Sequence, residues 1–177
     1  NHILITGSNG QLGNEMRLLA EEHKNFEYFF TDVAELDIAT AELDITDRQA
    51  VRKYIEQHEI DCIVNCAAFT AVDKAESEEA CCELLNATAP GYLAESVAER
   101  GGNMIQISTD YVFDGTSSIP YKEDNPTCPN SVYGRTKLQG EENVVRLCPG
   151  SMIIRTAWLY SNFGNNFVKT MIKLGKE

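Results

Sequence analysis

A tyrosine and a lysine stand four positions apart in the segment SVYGRTKLQGEE, at Tyr133 and Lys137. On a helix, side chains with this separation project from the same face. An ammonium group beside a phenol stabilises the phenolate and lowers its pKa from an ordinary value of about 10. The spacing therefore predicts that Tyr133 is a general acid at neutral pH, assisted by Lys137.

A hydroxyl group for the same chemistry comes from the segment IQISTDY. Thr109, or its neighbour Ser108, ends an apolar run and can donate a hydrogen bond to the oxygen of a substrate carbonyl. With Thr109, Tyr133 and Lys137 as catalytic residues, we expect a carbonyl reduction in which Tyr133 gives the proton and a nicotinamide gives the hydride. A chance surface pair is the commoner origin of an isolated Y-x-x-x-K spacing, so the interpretation depends on the surrounding elements.

Short apolar segments alternate with segments of helical periodicity along the whole chain. We predict strands at 2–7, 26–32, 61–68, 103–108 and 151–156, and a loop at 109–130. We predict helices at 10–23, 47–59, 76–102, 131–147 and 165–175, with Asp47 and Ser131 as N-terminal caps. This alternation predicts an α/β fold of Rossmann type, a doubly wound parallel sheet with helices on both faces.

A glycine-rich turn joins the first predicted strand to the first helix. TGSNGQLG places Gly7, Gly10 and Gly13 in a G-x-x-G-x-x-G spacing. Such glycines permit a tight turn, the approach of a pyrophosphate and close helix–strand packing, and the helix N-terminus adds unpaired amides. The alternative is an ordinary strand–helix turn, but the context favours a dinucleotide site.

Further candidate ligands of a dinucleotide follow the next two strands. Asp32 ends the second strand, about 20 residues after the turn, where a carboxylate binds the ribose hydroxyls. It favours NADH over NADPH, because a carboxylate repels a 2′-phosphate and no arginine follows it immediately. Asp44 can accept from the adenine amino group or cap a helix, although Asp47 is the better cap. Ala67 and Ala68 allow either close ligand approach or helix packing.

Composition and charge exclude several classes of protein. With 177 residues and 43% apolar residues, the chain is long enough for one domain at 1–177. Its net charge of −12 argues against nucleic acid or an anionic membrane as partner. No apolar run approaches the ~20 residues of a membrane span, and no signal peptide precedes the first strand, so we expect a cytoplasmic protein. The six cysteines lack C-x-x-C spacing, and we expect reduced, mostly buried thiols and no metal site.

Taken together, these segments resemble the extended short-chain dehydrogenase/reductase family. The resemblance rests on TGSNGQLG, NCAA, STDYVFDG and YGRTK, which span nearly the whole chain. TAVDKAE, LLNAT, VYGRTKLQGE, RTAWLY and GNNFVKTM make it closer still to the dTDP-4-dehydrorhamnose reductase branch. It implies that NADPH or NADH reduces the 4-keto group of a sugar-nucleotide substrate, dTDP-4-dehydro-L-rhamnose.

The resemblance also implies roles for individual residues. Lys137 would hold the nicotinamide ribose in addition to its catalytic role, and Thr109, Asp110 and Trp158 would contact the sugar. The alternatives are a local turn for Asp110 and a core position for Trp158. Asn86 would serve the cofactor or bind the backbone of a neighbouring loop. The implied cofactor contacts are Gly7, Gly10, Gln11, Leu12, Gly13, Asp32, Asp44, Ile45, Ala67, Ala68, Thr70, Tyr133 and Lys137.

Members of this family carry a smaller C-terminal substrate-binding region, which we expect to lie outside residues 1–177. The resemblance leaves room for a homodimer and for Mg²⁺ at a subunit contact, although no residues here identify a magnesium site. Two other functions stay open: a sugar-nucleotide epimerase or dehydratase, and a non-catalytic, reductase-like regulatory subunit of methionine adenosyltransferase. Tyr111 stands where dehydratases usually carry an acidic residue, which disfavours elimination chemistry.

Overall fold

The strands of this protein form a single parallel sheet. The structure, a computed structural model, describes residues 1–34 and 39–176. Within these residues the strands are β1 (His2–Thr6), β2 (Glu27–Asp32), β3 (Ala41–Glu42), β4 (Cys62–Asn65), β5 (Asn103–Thr109) and β6 (Met152–Thr156). Their order across the sheet is β3-β2-β1-β4-β5-β6, so the direction of winding reverses between β1 and β4. This confirms the predicted doubly wound Rossmann fold and places a ligand-binding crevice at that reversal.

Helices connect the strands and cover them. They are α1 (Gln11–Glu22), α2 (Arg48–Gln57), α3 (Val72–Ala75), α4 (Glu79–Glu83), α5 (Ala89–Glu99), α6 (Val132–Leu147) and α7 (Phe167–Leu174). The two predicted caps are confirmed. The Asp47 carboxylate accepts hydrogen bonds from the second and third residues of α2, and the Ser131 hydroxyl accepts one from the Gly134 amide at 3.0 Å. Among the described residues, no helix is both long enough and apolar enough to cross a membrane.

Both faces of the central strands are buried. Neighbouring residues of a strand point to opposite faces, and Leu4 and Ile5 of β1 are both 0% exposed. Leu4 belongs to the main core, which α2, α5 and α6 complete with residues such as Ile55, Leu93 and Val144. Burial on both faces explains why these strands are continuous apolar runs rather than alternating patterns.

The predicted long helix at 76–102 is divided into shorter elements. After α4, residues Leu84–Thr88 form a π-helical turn that leads directly into α5. Pro90 lies in the first turn of α5, and it has no amide to donate to the carbonyl four residues earlier. The buried side chain of Asn86, in the π turn, accepts from the Phe69 amide at 2.8 Å and donates to the Phe69 carbonyl at 3.1 Å. This is the loop-binding alternative considered for Asn86.

Two further differences from the sequence predictions concern short or exposed features. The strand β3 was not predicted, because two residues are too few to show a period. The expectation of mostly buried cysteines is wrong for Cys81 and Cys128, which are exposed. The apolar context that supported it applies to Cys62 in β4 and to Cys66 directly after β4, which are partly buried. All six thiols are free.

Candidate active site

A cavity of about 750 Å³ runs along the carboxyl ends of the strands. It lies where the winding of the sheet reverses, which is the expected place for a ligand in an open α/β sheet. Most of the predicted site residues line it: Gly7, Gly10, Gln11, Leu12, Asp32, Ile45, Ala67, Ala68, Thr70, Thr109, Asp110, Tyr133, Lys137 and Trp158. Gly13 and Asp44 lie outside the cavity wall.

The glycine turn depends on two very close backbone contacts. Gly7 has a positive φ of 62°, and a Cβ there would lie 2.6 Å from the backbone of Ala67 on the neighbouring connection. At Gly13, a Cβ would lie 2.4 Å from Cα of Ser8. Real Cβ atoms do not approach backbone this closely, so each glycine lets two segments pack together. Gly13 therefore packs α1 against the turn, and its contact with a cofactor stays a prediction.

The N-terminus of α1 fits an anionic ligand. Its first residues follow Gly10 at the cavity, and no side chain among the described residues caps it. By contrast, side chains of Asp47, Ser131 and Asn166 cap α2, α6 and α7. Uncapped amides at the positive end of a helix dipole bind phosphate groups. The residues present thus match the pyrophosphate of a dinucleotide.

Asp32 is fixed at the end of β2 by backbone amides. Its Oδ2 accepts from the Asn9 amide at 2.9 Å, and its Oδ1 accepts from the Val33 amide at 2.8 Å. Each carboxylate oxygen has a further lone pair, so Asp32 can still accept from a ribose hydroxyl.

An arginine that sequence reasoning missed lies near this part of the turn. The Arg17 side chain on α1 donates to Ser8 Oγ at 3.0 Å and stacks over the Phe30 ring at 4.4 Å. No arginine follows Asp32 immediately in the chain, but α1 brings this cation to Ser8 of the turn and to Phe30 of β2. Its position, four residues after Gly13, is the signal that the sequence offered.

Asp44 is held by a local turn at the edge of the cavity. Its Oδ1 accepts from the Thr46 amide at 2.8 Å and from the Thr46 hydroxyl at 2.7 Å. Leu43 and Ile45, on either side of it, form the cavity wall here. The contact of Asp44 with adenine stays a prediction. Leu43 and Ile45 provide an apolar surface next to Asp44.

Thr109 and Tyr133 reach the cavity from different elements. Thr109 is the last residue of β5, and its hydroxyl accepts from the Tyr111 amide and donates to Asp110 Oδ1, each at 3.2 Å. Tyr133 lies in the first turn of α6, and its ring meets the Tyr111 ring edge-on at 5.5 Å. Burial raises the pKa of Tyr133, the Thr109 side chain opposes that rise, and Asp110 adds to it.

Lys137 follows Tyr133 by one helical turn but is held by the sheet. It is 4% exposed, and its Nζ donates to the Ile107 carbonyl of β5 at 2.6 Å. Burial lowers the pKa of Lys137 to about 8, although the Glu141 carboxylate acts in the opposite direction. The predicted lowering of the Tyr133 pKa is therefore wrong for this structure. Burial of the phenol raises that pKa and is the largest effect on it. A raised pKa keeps the proton on Tyr133 at neutral pH.

Hydrogen bonds between buried polar side chains fix the carbonyl that binds Lys137. The Thr6 hydroxyl donates to Asn65 Oδ1 at 2.6 Å, and Asn65 Nδ2 donates to Gln106 Oε1 at 2.8 Å. Gln106 Nε2 then donates to the Ile107 carbonyl at 3.0 Å. These residues cross β1, β4 and β5, so the carbonyl that binds Lys137 is fixed by the three central strands.

The predicted sugar contacts lie at the outer end of the cavity. Trp158 is 73% exposed, so the alternative of a core tryptophan is wrong. Its backbone has a φ of 55°, and its ring packs edge-on against Phe167 at 4.8 Å. Asp110 begins a 3-10 turn, which the Thr109 side chain caps. The exposed Asp110 carboxylate thus borders the cavity as well as the local turn.

The segment after β6 contacts the glycine turn, which sequence reasoning did not anticipate. Asn166 Nδ2 donates to Gln11 Oε1 at 3.0 Å and to the Ser161 carbonyl at 2.9 Å. Gly164, in the same segment, lines the cavity beside Gln11. Nothing in the local pattern of residues 157–166 indicated this contact, because it joins positions 155 apart in the chain.

The fold and the cavity define a class of protein, a Rossmann-type α/β domain with a ligand cavity at the carboxyl ends of its parallel strands. A family model described as the RmlD substrate binding domain matches residues 1–177. The chain belongs to this family.

Named relatives agree with this placement. One relative, from Streptomyces antibioticus, is named a probable dTDP-4,6-dihydroxy-2-methyloxan-3-one 4-ketoreductase. It is 48% identical to this chain, and the matched region includes 96% of this chain and 55% of the relative. The crystal structure of a dTDP-4-dehydrorhamnose reductase from Clostridium acetobutylicum is 47% identical, with a TM-score of 0.91. The dTDP-4-dehydrorhamnose reductase of Bacillus anthracis, solved in complex with NADP, is 37% identical, with a TM-score of 0.87. In both structures the matched region includes 99% of this chain and 60% of the solved chain. This chain therefore spans little more than half the length of its relatives.

Proposed function

We propose that this chain forms the cofactor-binding and catalytic part of an enzyme that reduces the 4-keto group of dTDP-4-dehydro-L-rhamnose to give dTDP-L-rhamnose. One observation carries the proposal: Thr109, Tyr133 and Lys137 face the same cavity as the uncapped N-terminus of α1 and Asp32. A proton donor and a dinucleotide site in one cavity suit a reduction by NADPH or NADH. The names of the relatives support the choice of a dTDP-linked sugar.

Residues of this chain would hold the cofactor at three places. The amides after Gly10 suit the pyrophosphate, Asp32 suits the adenosine ribose, and Lys137 suits the nicotinamide ribose. The adenine would lie against Ile45, with Asp44 beside it. Between these places the cavity is lined by Ala67, Ala68 and Thr70, and the middle of the dinucleotide would lie there. When bound, the reduced nicotinamide supplies the hydride.

The protein supplies the proton and its placement. Tyr133 is protonated at neutral pH, since the ordinary pKa of a phenol is about 10 and burial raises it, and it donates this proton to the oxygen that was the carbonyl. Thr109 would turn its hydroxyl proton from Asp110 to the same oxygen and so orient the substrate. Asp110 and Trp158 would contact the sugar at the outer end of the cavity.

A second substrate is favoured by one finding. The relative at 48% identity is named for the 4-keto reduction of dTDP-4,6-dihydroxy-2-methyloxan-3-one, another dTDP-linked sugar. The same proton donor and cofactor site would serve that reaction, so a comparison of the two substrates belongs to the test.

The proposal predicts that Tyr133→Phe abolishes turnover and leaves cofactor binding largely intact. The change deletes the proton donor and little packing, and loss of a general acid lowers the rate about 10²- to 10⁴-fold. Oxidation of NADPH and NADH is followed at the nicotinamide absorbance with each dTDP-sugar, and cofactor affinity is measured by fluorescence titration. The full-length reductase from Clostridium acetobutylicum is the positive control for the assay.

Tyr54→Phe is the matched control variant, because Tyr54 is a partly buried tyrosine on α2, away from the cavity. It should leave both turnover and affinity unchanged. Loss of cofactor affinity in Tyr133→Phe would argue against the role of proton donor. Cofactor binding without turnover of either sugar, by this chain and by the intact gene product that contains it, would move the assignment to another sugar nucleotide or to a regulatory role.

A further inference from the structure

An ion pair between the buried Glu141 and the partly buried Arg155 lies next to the catalytic residues and joins three elements. Glu141 on α6 is 4% exposed, and its Oε1 accepts from the Ser108 hydroxyl of β5 at 2.5 Å. Arg155 of β6 donates to the same carboxylate through Nε at 2.9 Å and through Nη2 at 2.7 Å. The Arg155 guanidinium also stacks over the Phe113 ring at 5.0 Å.

Each member of this group stands next to the proposed site. Glu141 follows Lys137 by one helical turn, as Lys137 follows Tyr133. Ser108 precedes Thr109, and it pairs with Arg155 across the β5–β6 ladder. Glu141 does not line the cavity that contains Tyr133 and Lys137. It lines a second cavity of about 950 Å³, which residues of α6 and β6 border. It therefore acts on the site through its neighbours.

A buried ion pair of this kind contributes little to stability by itself. Removing two charges from water costs about as much as their attraction returns, so such pairs are weak evidence of a stabilising role. They can instead fix one arrangement of the elements that they join. Here the Glu141 carboxylate binds Ser108 of β5 and Arg155 of β6. Ser108 directly follows Ile107, whose carbonyl binds Lys137.

We propose that Glu141, anchored by Arg155 and Ser108, is a positioning residue that holds Lys137 charged and in place over the end of β5. The inference deepens the proposed function and rests on it, since it concerns the residue that would bind the nicotinamide ribose. Glu141 contributes a fixed negative charge one turn from the ammonium and a tether between α6 and the sheet.

The charges around Lys137 support an electrostatic part of this role. Burial lowers the pKa of Lys137, and the Glu141 carboxylate counteracts that effect more than the Cys82 thiol of α4 does. Other titratable or charged groups that pack against this part of α6 are Arg155 from β6, Asp110 and Tyr111 from the turn after β5, Glu76 after α3 and Glu79 of α4. Loss of Glu141 alone should therefore lower the pKa of Lys137 further.

The test measures how NADH affinity depends on pH in Glu141→Gln. Affinity should fall as Lys137 loses its proton, with a midpoint near its pKa of about 8 in the unmodified chain. In Glu141→Gln the midpoint should move down by about one pH unit, since an opposite charge was removed beside the ammonium. A purely structural role would reduce affinity at every pH without moving the midpoint.

Two further variants keep the test decisive. Glu95→Gln is the matched control, because Glu95 forms a similar bidentate pair with Arg48, at 2.7 to 3.0 Å, on a more exposed surface. It should leave the midpoint unchanged. Glu141→Gln combined with Arg155→Gln removes both charges, so it leaves no unpaired arginine to unfold the chain. It should still show a downward shift, smaller than in Glu141→Gln, because loss of the Arg155 cation acts in the opposite direction.

The outcomes separate the two proposals. A downward shift in both Glu141 variants and none in Glu95→Gln would support the positioning role. NADH binding with the same midpoint in every variant would overturn that role and leave the proposed function intact. Failure of the unmodified chain to bind either NADH or NADPH at any pH would overturn the proposed function, and with it the inference that rests on it.

Discussion

Tyr133 and Lys137 show that the surroundings of a residue decide its chemistry more than its spacing does. Their separation places both on one face of α6, as predicted, but the Lys137 ammonium bonds to the Ile107 carbonyl. The phenol is buried among rings and beside Asp110, so its pKa rises instead of falling. The pair still suits a reduction, because the protonated tyrosine is the form that donates.

Asp32→Ala should weaken NADH binding more than NADPH binding. The change removes a carboxylate that can accept from the ribose 2′-hydroxyl, and a hydrogen bond to a charged group is worth about 1.5–3 kcal/mol. The expected loss of NADH affinity is therefore roughly ten- to a hundredfold. For NADPH, the loss is offset because the repulsion of the 2′-phosphate disappears. Fluorescence titration of both cofactors measures the ratio.

Asp47→Ser serves as the control for this change. It removes a carboxylate of the same net charge from outside the cavity, and serine preserves the cap of α2. Both affinities should stay as in the unmodified chain. An equal loss for NADH and NADPH in Asp32→Ala would argue against the ribose contact.

Among the elements, the turn between β1 and α1 is the most constrained. Its glycines let the backbone pass within contact distance of the β4 connection and of its own start. The uncapped first turn of α1 then faces the cavity. The π turn before α5 has a similar positioning role, since Asn86 binds the backbone of Phe69 beside the cavity wall. These features shape the site without contributing a reacting group.

Gly13→Ala should destabilise the domain and abolish dinucleotide binding. The new Cβ would meet the Ser8 backbone at 2.4 Å, so α1 must move away from the turn. Overpacking of this kind costs typically about 1–3 kcal/mol. Urea unfolding gives the change in stability, and NADH titration gives the change in affinity.

Gly91→Ala is the same substitution in a more tolerant position. Gly91 is buried in α5, and its added Cβ would lie 3.5 Å from Leu147, an ordinary contact. Helix propensity favours alanine by about 1 kcal/mol, so this variant should be as stable as the parent or more stable. If Gly13→Ala behaved in the same way, the close packing of α1 would have no energetic role.

On the scale of the whole molecule, burial is unevenly distributed. The core lies between the central strands and the helices α2, α5 and α6. Toward β6 the surface is more apolar: Met152 is 58% exposed, and α7 exposes Phe167, Met171 and Ile172. The buried core of the described residues therefore lies on the β1–β4–β5 side, where Lys137 is also buried.

Lys137→Met should stabilise the fold at neutral pH and abolish function. Burial lowers the Lys137 pKa from 10.5 to about 8. At about 1.4 kcal/mol for each pKa unit, the buried charge costs about 3 kcal/mol when it is protonated in both states. That cost is fully present below pH 8 and disappears as the pH rises toward 10.5, where the unfolded chain also loses the proton.

Urea unfolding of the parent and of Lys137→Met at pH 7 and near pH 10 checks this expectation. The variant should be more stable at pH 7, and the difference should shrink at the higher pH, since titrations common to both proteins cancel. Lys53→Met, at an exposed lysine on α2, should show no such dependence on pH. A constant difference between parent and Lys137→Met would mean that the Lys137 charge is not buried at a cost.

The sequence by itself determined the fold class, the glycine turn, the caps at Asp47 and Ser131, and the candidate residues Thr109, Tyr133 and Lys137. These are local features, because strand and helix patterns, turn glycines and caps depend on residues a few positions apart. Only the tertiary structure showed that Lys137 binds Ile107, that Glu141 and Arg155 pair beneath it, and that Asn166 reaches Gln11. Those contacts join distant segments, and the burial that shifts the pKa values of Tyr133 and Lys137 exists only once the elements have packed.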